Sequence, residues 1–437
     1  MKKLWMIVIL GLLVLSACSP AVTEEPADVT EPEPIGDTDN DVDPVEEPEK
    51  TVLEVISWWD ISTSESLQEL KAGFEANNPD IELEFTMVGE GYADKMLTMI
   101  AGGGELPDVM MLAMDKVPFF ADRGAITNLD QYISDEYKSD IYPFVLNALS
   151  YEESVYAVAR DVTPKIMYLN VDMFEDAGVD LPDADWTWDE FRTIAQALTV
   201  VDDGGIDSQW GFYFPKFVDG WAHWLYQNEG ALVTPDGTAS ALDTPESIEA
   251  IKFLQSLILE DQVVPTESQA QQFGTSAWAP FLAGKAAMLA GGLSTTTAIV
   301  DAGINYTVLP LPTGANSSNT AFVNAWAIPS GAENPDMSWR ILEYFSTEGQ
   351  QIVLDTGMGL PASKSVDTSA FEQATDFNNY FIDSMNTAIP FPAPLYGNDY
   401  WVLIMNEFDL MWLGEVSVEE AVASIVEEGN KILMGEN

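Results

Sequence analysis

The chain has 437 residues, 47% of them apolar, enough for a large core, and at roughly 150 residues per domain it suggests two or three domains. Its formal charge is −55, from 72 Asp plus Glu against 17 Lys plus Arg, and such a field repels phosphate backbones and anionic lipid headgroups, so nucleic acid is not an expected partner. One Cys and one His exclude disulfide frameworks, Cys/His zinc clusters and every Ser-His or Cys-His arrangement that does not use His223 itself; no cofactor and no metal are expected.

Lys2 and Lys3 precede an apolar run from Leu4 to Leu15, which is shorter than the roughly 20 residues that span a bilayer and is followed by small residues. This reads as an export signal over residues 1–17. Its end, Leu15-Ser16-Ala17-Cys18, resembles the lipobox of bacterial lipoproteins, in which the Cys is acylated and the preceding chain removed. Residues 19–50 hold twelve acids, six prolines, one Lys and no aromatic residue, a composition that cannot offset ordering entropy by burial; 18–50 reads as a lipidated Cys and a disordered acidic tether. The remainder keeps 60 acids against 14 bases, so the acidity extends to the folded surface, where saline or acidic habitat and solubility explain it more simply than a ligand does.

From Thr51 the pattern alternates strand and helix. Leu53, Val55 and Ser57 alternate with Glu54 and Ile56, and Ser62 with Glu65 suggests a capping box ahead of Leu67, Leu70 and Phe74 on one helical face. Ile81 to Val88 alternates as a half-buried strand, Asp94 to Ala101 is a short helix before three glycines, and Val109 to Met114 is apolar throughout, as in a strand covered on both faces. This β-α-β-α-β series is α/β. Further on, Thr187-Trp188-Asp189-Glu190 is a second capping box, Thr244 before Pro245 opens another helix, Val402 to Trp412 is helical, and Ser417 to Leu433 is a final amphipathic helix.

Several separated stretches, in order, resemble one family. They include Leu106-Pro107-Asp108-Val109, Val155-Tyr156-Ala157-Val158-Ala159, Tyr168-Leu169-Asn170, Thr187-Trp188-Asp189-Glu190-Phe191, Phe281-Leu282-Ala283-Gly284-Lys285-Ala286-Ala287-Met288, Val308-Leu309-Pro310-Leu311-Pro312 and Gly359-Leu360-Pro361. Together they look like the extracellular solute-binding proteins that deliver carbohydrates to ABC importers, the maltodextrin-binding type (solute-binding protein family 1). The resemblance implies a two-lobe periplasmic-binding-protein fold of type II, with lobes joined by several crossovers and the ligand in the cleft between them. By analogy, 51–162 plus 308–357 form one lobe and 163–307 plus 358–437 the other. It also implies a monomeric binder rather than an enzyme, anchored outside the cytoplasmic membrane, or in the periplasm, by lipid on Cys18 alone, with a carbohydrate ligand and the ABC permease transmembrane subunits as partners.

A pyranose offers apolar C–H faces and a rim of hydroxyls, so its site needs aromatic platforms beside side chains that hydrogen-bond in pairs. In this family the ligand lies at strand ends. Trp58, Trp59 and Asp60 end the first strand. Asp115 and Lys116 follow the apolar strand where maltodextrin binders place an acid and a base, although the family's nearby Trp is Leu112 here, which leaves room for a different ligand. Arg160, Asp161 and Thr163 lie at the first crossover, where a structural Arg–Asp bridge competes with a ligand role. Trp221 and Trp224 flank His223 at helical spacing, a stripe that equally suits the core. Gly291 and Gly292 follow a strand at Ala287 to Ala290, with Leu293 replacing the family's Trp and the glycines permitting close backbone approach. Trp326 ends a stretch with Asn324 and suits the core as well as the cleft, and Tyr400 and Trp401 form an aromatic-acid cluster with Tyr396 and Asp399. Competing functions are a secreted carbohydrate-active enzyme, since paired carboxylates suffice for glycoside hydrolysis, or a binder of another solute such as a polyamine or a peptide; a phosphate ligand is disfavoured by the scarcity of Arg and Lys.

Overall fold

The computed structural model describes residues 50–200, 202 and 208–436. The expected signal, Cys18 and tether lie outside the described residues. Two sheets organise the remainder. In the larger, β1 (Thr51–Ser57) pairs in parallel with β2 (Ile81–Met87) and with β3 (Val109–Ala113), each step returning through a helix, Glu65–Asn77 and then Tyr92–Gly102. A hairpin of β4 (Ser150–Tyr151) and β5 (Ser154–Val155) leads to β6 (Val158–Pro164). The smaller sheet is β7 (Ile166–Asn170) flanked by β8 (Met288–Gly291) and β9 (Tyr306–Leu309), both antiparallel to it. Then β10 (Asn319–Ala327) returns to the larger sheet, antiparallel to both β3 and β6, and β11 (Ala388–Pro390) pairs in parallel with its first residues.

Only Lys165 separates β6 from β7, so the chain steps directly from one sheet to the other, and Pro310 to Ser318 carry it back. β1, β3 and β10 are apolar on both faces because the larger sheet is covered on both. Val55, Val109, Met111 and Trp326 pack with Leu67, Phe74, Ile341 and Phe345 on one side, while Ile56, Met110, Leu112 and Ala325 join a second, larger core on the other. β11 comes from the segment expected in the second lobe, yet it extends the larger sheet.

The Thr187–Glu190 and Ser417–Glu420 capping boxes form, and Thr244 caps the helix Pro245–Leu259. The Ser62–Glu65 box does not. Asp60 instead caps a 3₁₀ turn at Ile61–Thr63, and the Ser64 hydroxyl accepts from the Leu67 amide at the true helix start, so Glu65 sits at the first helical position. The helix expected from Val402 begins at Gly397 and ends at Trp412, which moves Tyr400 and Trp401 from a loop into its second turn.

Candidate functional site

The first feature is a β-bulge. Asn324 on β10 pairs with Asp161, but Ala325 pairs with Ala159, which leaves Arg160 as an extra residue on β6. Successive side chains of a regular strand point to opposite faces. The bulge relieves that rule, so the Arg160 guanidinium Nε pairs with the carboxylate of its own neighbour Asp161, both residues being only 1% exposed. The other Asp161 oxygen accepts from the Asn324 amide at 2.9 Å and the Thr163 hydroxyl at 3.3 Å. Arg160 thus has a fixed counter-ion, and its guanidinium carbon lies 4.1 Å from the centre of the Trp59 ring. Trp59 is 38% exposed; its amide donates to Ser57 Oγ at the end of β1.

Beside it, Trp58 packs edge-on against Tyr92 at 5.3 Å, and Tyr92 lines a cavity of about 380 Å³. Asp115 and Lys116, an ion pair at 2.9 Å, form part of its wall. Lys116 also donates to Asn398 at 3.0 Å, so the end of β3 meets the first turn of the helix Gly397–Trp412 across the cavity. Leu395 and Tyr396 separate this space from a larger one of about 1250 Å³, bordered by Glu152 at the β4–β5 turn, Tyr226 and the prolines 390, 392 and 394. Both residues of that turn, Glu152 (φ 48°) and Glu153 (φ 69°), have left-handed backbone, as a two-residue hairpin requires. Burial pushes the Tyr92 phenol well above its usual range, so it stays neutral in this wall.

The structure therefore gathers Trp58, Trp59, Arg160, Asp161 and Thr163 at one end of the larger sheet and Asp115 and Lys116 in the adjoining cavity. Asp60 is exposed, with one carboxylate oxygen accepting from the Ser62 amide. Four expected platforms are corrected. Trp221 is fully buried against Phe408 and Trp412; Trp326 is fully buried against Phe345 on the helix-covered face; Tyr400 is fully buried with its hydroxyl bonded to Leu232 O and Ser240 Oγ. Trp401 is 8% exposed and packs on Phe391, because a helix starting at Gly397 turns its ring inward. Gly291 and Gly292 are buried too. A Cβ on Gly292 would overlap the Thr163 side chain, so that glycine allows the crossover to pass and offers no surface.

Phe217 is a further exposed ring that the sequence reading did not single out. At 41% it is, with Trp59, one of two aromatic rings among the exposed large apolar side chains of the described residues. It sits in the Pro215–Gly220 loop, which Asp219 ties to Lys165 between the two sheets and Trp221 ties to the core. The only available signal was a lone Phe between Pro215 and Gly220. The same stretch holds buried polar groups with no hydrogen-bond partner among the described residues: the Lys216 ammonium, one Asp219 oxygen, both His223 nitrogens and the Gln227 amide nitrogen. Burial drives the Lys216 amine down to about 7, against the pull of Glu267, and the His223 imidazole down to about 3, assisted by Lys165. The Lys216 amine lies 3.5 Å from the Phe214 ring centre.

Residues 60–352, about two thirds of the chain, match the family described as bacterial extracellular solute-binding protein. The chain belongs to that family. Its relatives include a binding protein of Brucella abortus, 26% identical over 304 residues (66% of this chain, 70% of the relative), and the maltotriose-binding protein of Pyrococcus abyssi, 24% identical over 317 residues (69% and 65%). In fold it is similar to the ABC substrate-binding protein of Listeria monocytogenes solved with cycloalternan, with a TM-score of 0.78 and 23% identity over 90% of this chain and all of that one. These relatives are binding proteins. In fold the solute-binding protein described here accordingly has the two-lobe architecture of type II periplasmic binding proteins. Family membership places its work outside the cytoplasm. Among the described residues no helix is long and apolar enough to cross a membrane, and no group of His, Cys, Asp and Glu is arranged to hold a metal.

Proposed function

We propose that this solute-binding protein captures a sugar or short oligosaccharide outside the cytoplasmic membrane and passes it to an ABC permease when its lobes close. The observation that carries this reading is Trp59, a half-exposed ring backed by the buried Arg160 guanidinium and following Trp58, which packs on Tyr92 in the wall of a cavity also lined by Asp115 and Lys116. An apolar flat face next to paired polar groups matches the two kinds of surface a pyranose presents. Similarity to the maltotriose- and cycloalternan-binding relatives supports the same solute class.

In this reading residues 51–162 plus 308–357 make one lobe and 163–307 plus 358–437 the other, with Lys165 at the first crossover. Lipid on Cys18 tethers the protein to the membrane; Cys18→Ser should yield an unprocessed precursor or a released protein. The deciding experiment for the solute is a thermal-shift screen against mono- and oligosaccharides, polyamines and peptides, because a ligand bound only by the native state raises its stability by RT ln(1 + [L]/Kd). A sugar should raise the melting temperature in proportion to the logarithm of its concentration and be recovered unchanged. A response to polyamines or peptides alone, or turnover of the sugar, would overturn the proposal.

A further inference from the structure

The two crossovers between the sheets are clasped to each other. Asn319, the first residue of β10, accepts from the Lys165 amide at 2.9 Å and donates to the Lys165 carbonyl at 2.7 Å. Both crossovers are also tied to one stretch of chain, residues 217–227. From the first, the Lys165 ammonium pairs with Asp219; from the second, the Asn316 amide donates to Gln227 O and its side chain to Tyr226 O, each at 3.0 Å. The link through Asp219 rests on a single partner. Its other carboxylate oxygen is buried with no hydrogen-bond partner among the described residues, so Lys165 is what holds this side chain. Asp219 lies in one 3₁₀ turn, Val218–Gly220, whose last amide donates to Phe217 O at 2.9 Å, and a Cβ on Gly220 would overlap Pro215 O. So tight a turn moves Phe217 and Asp219 as one unit. The Phe217 ring points outward from it, 41% exposed, while Val218 and Trp221 are buried.

Lobe closure turns on the crossovers, so whatever is fixed to them moves with the hinge. We propose that the Lys165–Asp219 pair is the positioning link for Phe217: it fixes the turn that bears the ring to the clasped crossovers, so that the angle between the lobes sets where the ring meets the sugar. A charged pair in a mostly buried site suits this task, because solvent and salt loosen it less than an exposed one. Lys165 and Asp219 act through Phe217 and are positioning residues. The inference rests on the sugar capture proposed above and adds how the hinge governs one contact of the site.

A double-mutant cycle tests it, read by calorimetric titration of the purified protein with glucose, maltose, maltotriose, cellotriose and mannotriose. Lys165→Met combined with Asp219→Asn removes both charges at nearly constant volume and so leaves no buried charge unpaired. With the sugar that binds best, this pair variant should bind roughly threefold or more weakly than the parent. Adding Phe217→Ala to it should cost clearly less than Phe217→Ala costs the parent, because residues that act through one element are not additive. A melting curve checks the fold; should the pair variant not fold, Asp219→Asn alone, which keeps an acceptor facing Lys165, serves the same cycle. His223 supplies a second readout. It is the only His of the chain, four residues after Asp219, buried near the Lys165 charge, and it lines neither cavity. Its imidazole resonance should shift when the parent binds sugar, and the shift should shrink in the pair variant, which a merely stabilising pair would not produce. Parent-like affinity in the pair variant or in Phe217→Ala, strictly additive losses in the triple variant, or an undiminished His223 shift would each overturn the positioning link and leave sugar capture standing. No binding of any of these sugars by the parent would instead remove the function on which the inference rests.

Discussion

One face of the Trp59 ring lies against Arg160, so only the other can meet a ligand. Phe217 is the second exposed ring, on the loop tied to Lys165. Trp59→Ala and Phe217→Ala should each weaken sugar binding by about 1–3 kcal/mol, the scale of losing one large apolar contact, while changing thermal stability less. Calorimetry on the best ligand reads this, and unchanged affinity in both variants would place the cleft elsewhere. Trp59 was singled out in the sequence because aromatic and acidic residues end the first strand there, and the structure shows its ring half-exposed. The exposure of Phe217 was not legible, since nothing in the order Pro-Lys-Phe-Val-Asp-Gly says which way a loop residue turns. His223 makes a second residue-scale prediction. Its folded-state pKa, about 3, lies below the unfolded value near 6.5, so the unfolded chain binds the extra proton and stability falls as pH drops from about 6.5 towards 3. Urea unfolding of the parent and of His223→Leu over that range should show the parent losing stability relative to the variant. Parallel pH profiles would mean that His223 is not held neutral.

At the scale of elements, the bulge in β6 turns Arg160 towards Trp59 and lets Asp161 collect Asn324 and Thr163. Breaking a buried ion pair by removing one partner leaves a charge uncompensated, so Asp161→Ala should destabilise the fold by about 3–5 kcal/mol, measured by urea unfolding. A loss below about 1 kcal/mol would mean that Arg160 finds another partner. The sequence left a structural Arg–Asp bridge and a ligand role both open, and the structure shows the bridge; the residue types and position were legible, but a bulge depends on the register of β10, about 160 residues away, and local pattern carries no such information. The start of the helix Gly397–Trp412 was missed for a related reason. Gly397 and Asn398 are weak helix formers, and burial of Tyr400 and Trp401 against Leu232, Ser240 and Phe391 overrides that propensity. The Thr187 capping box was legible because its hydrogen bonds are local.

For the molecule as a whole, two sheets joined at Lys165 and again through Pro310 to Ser318, with the smaller cavity walled by the turn after β3 on one side and the first turn of the helix Gly397–Trp412 on the other, suit capture by closure. A ligand that touches both walls favours the closed form by its differential affinity for the two states, and a permease that reads closure then reads occupancy. The α/β class and the family were legible in sequence because they rest on periodicity and on many dispersed stretches. The walls of the cleft were less so, because they join residues distant in the chain, as Lys116 and Asn398 do. Small-angle scattering of the protein, free and saturated with the sugar that most raises its melting temperature, tests capture by closure most directly. The account predicts a smaller radius of gyration when bound; an unchanged radius at proven saturation would contradict it and indicate a rigid, preformed pocket.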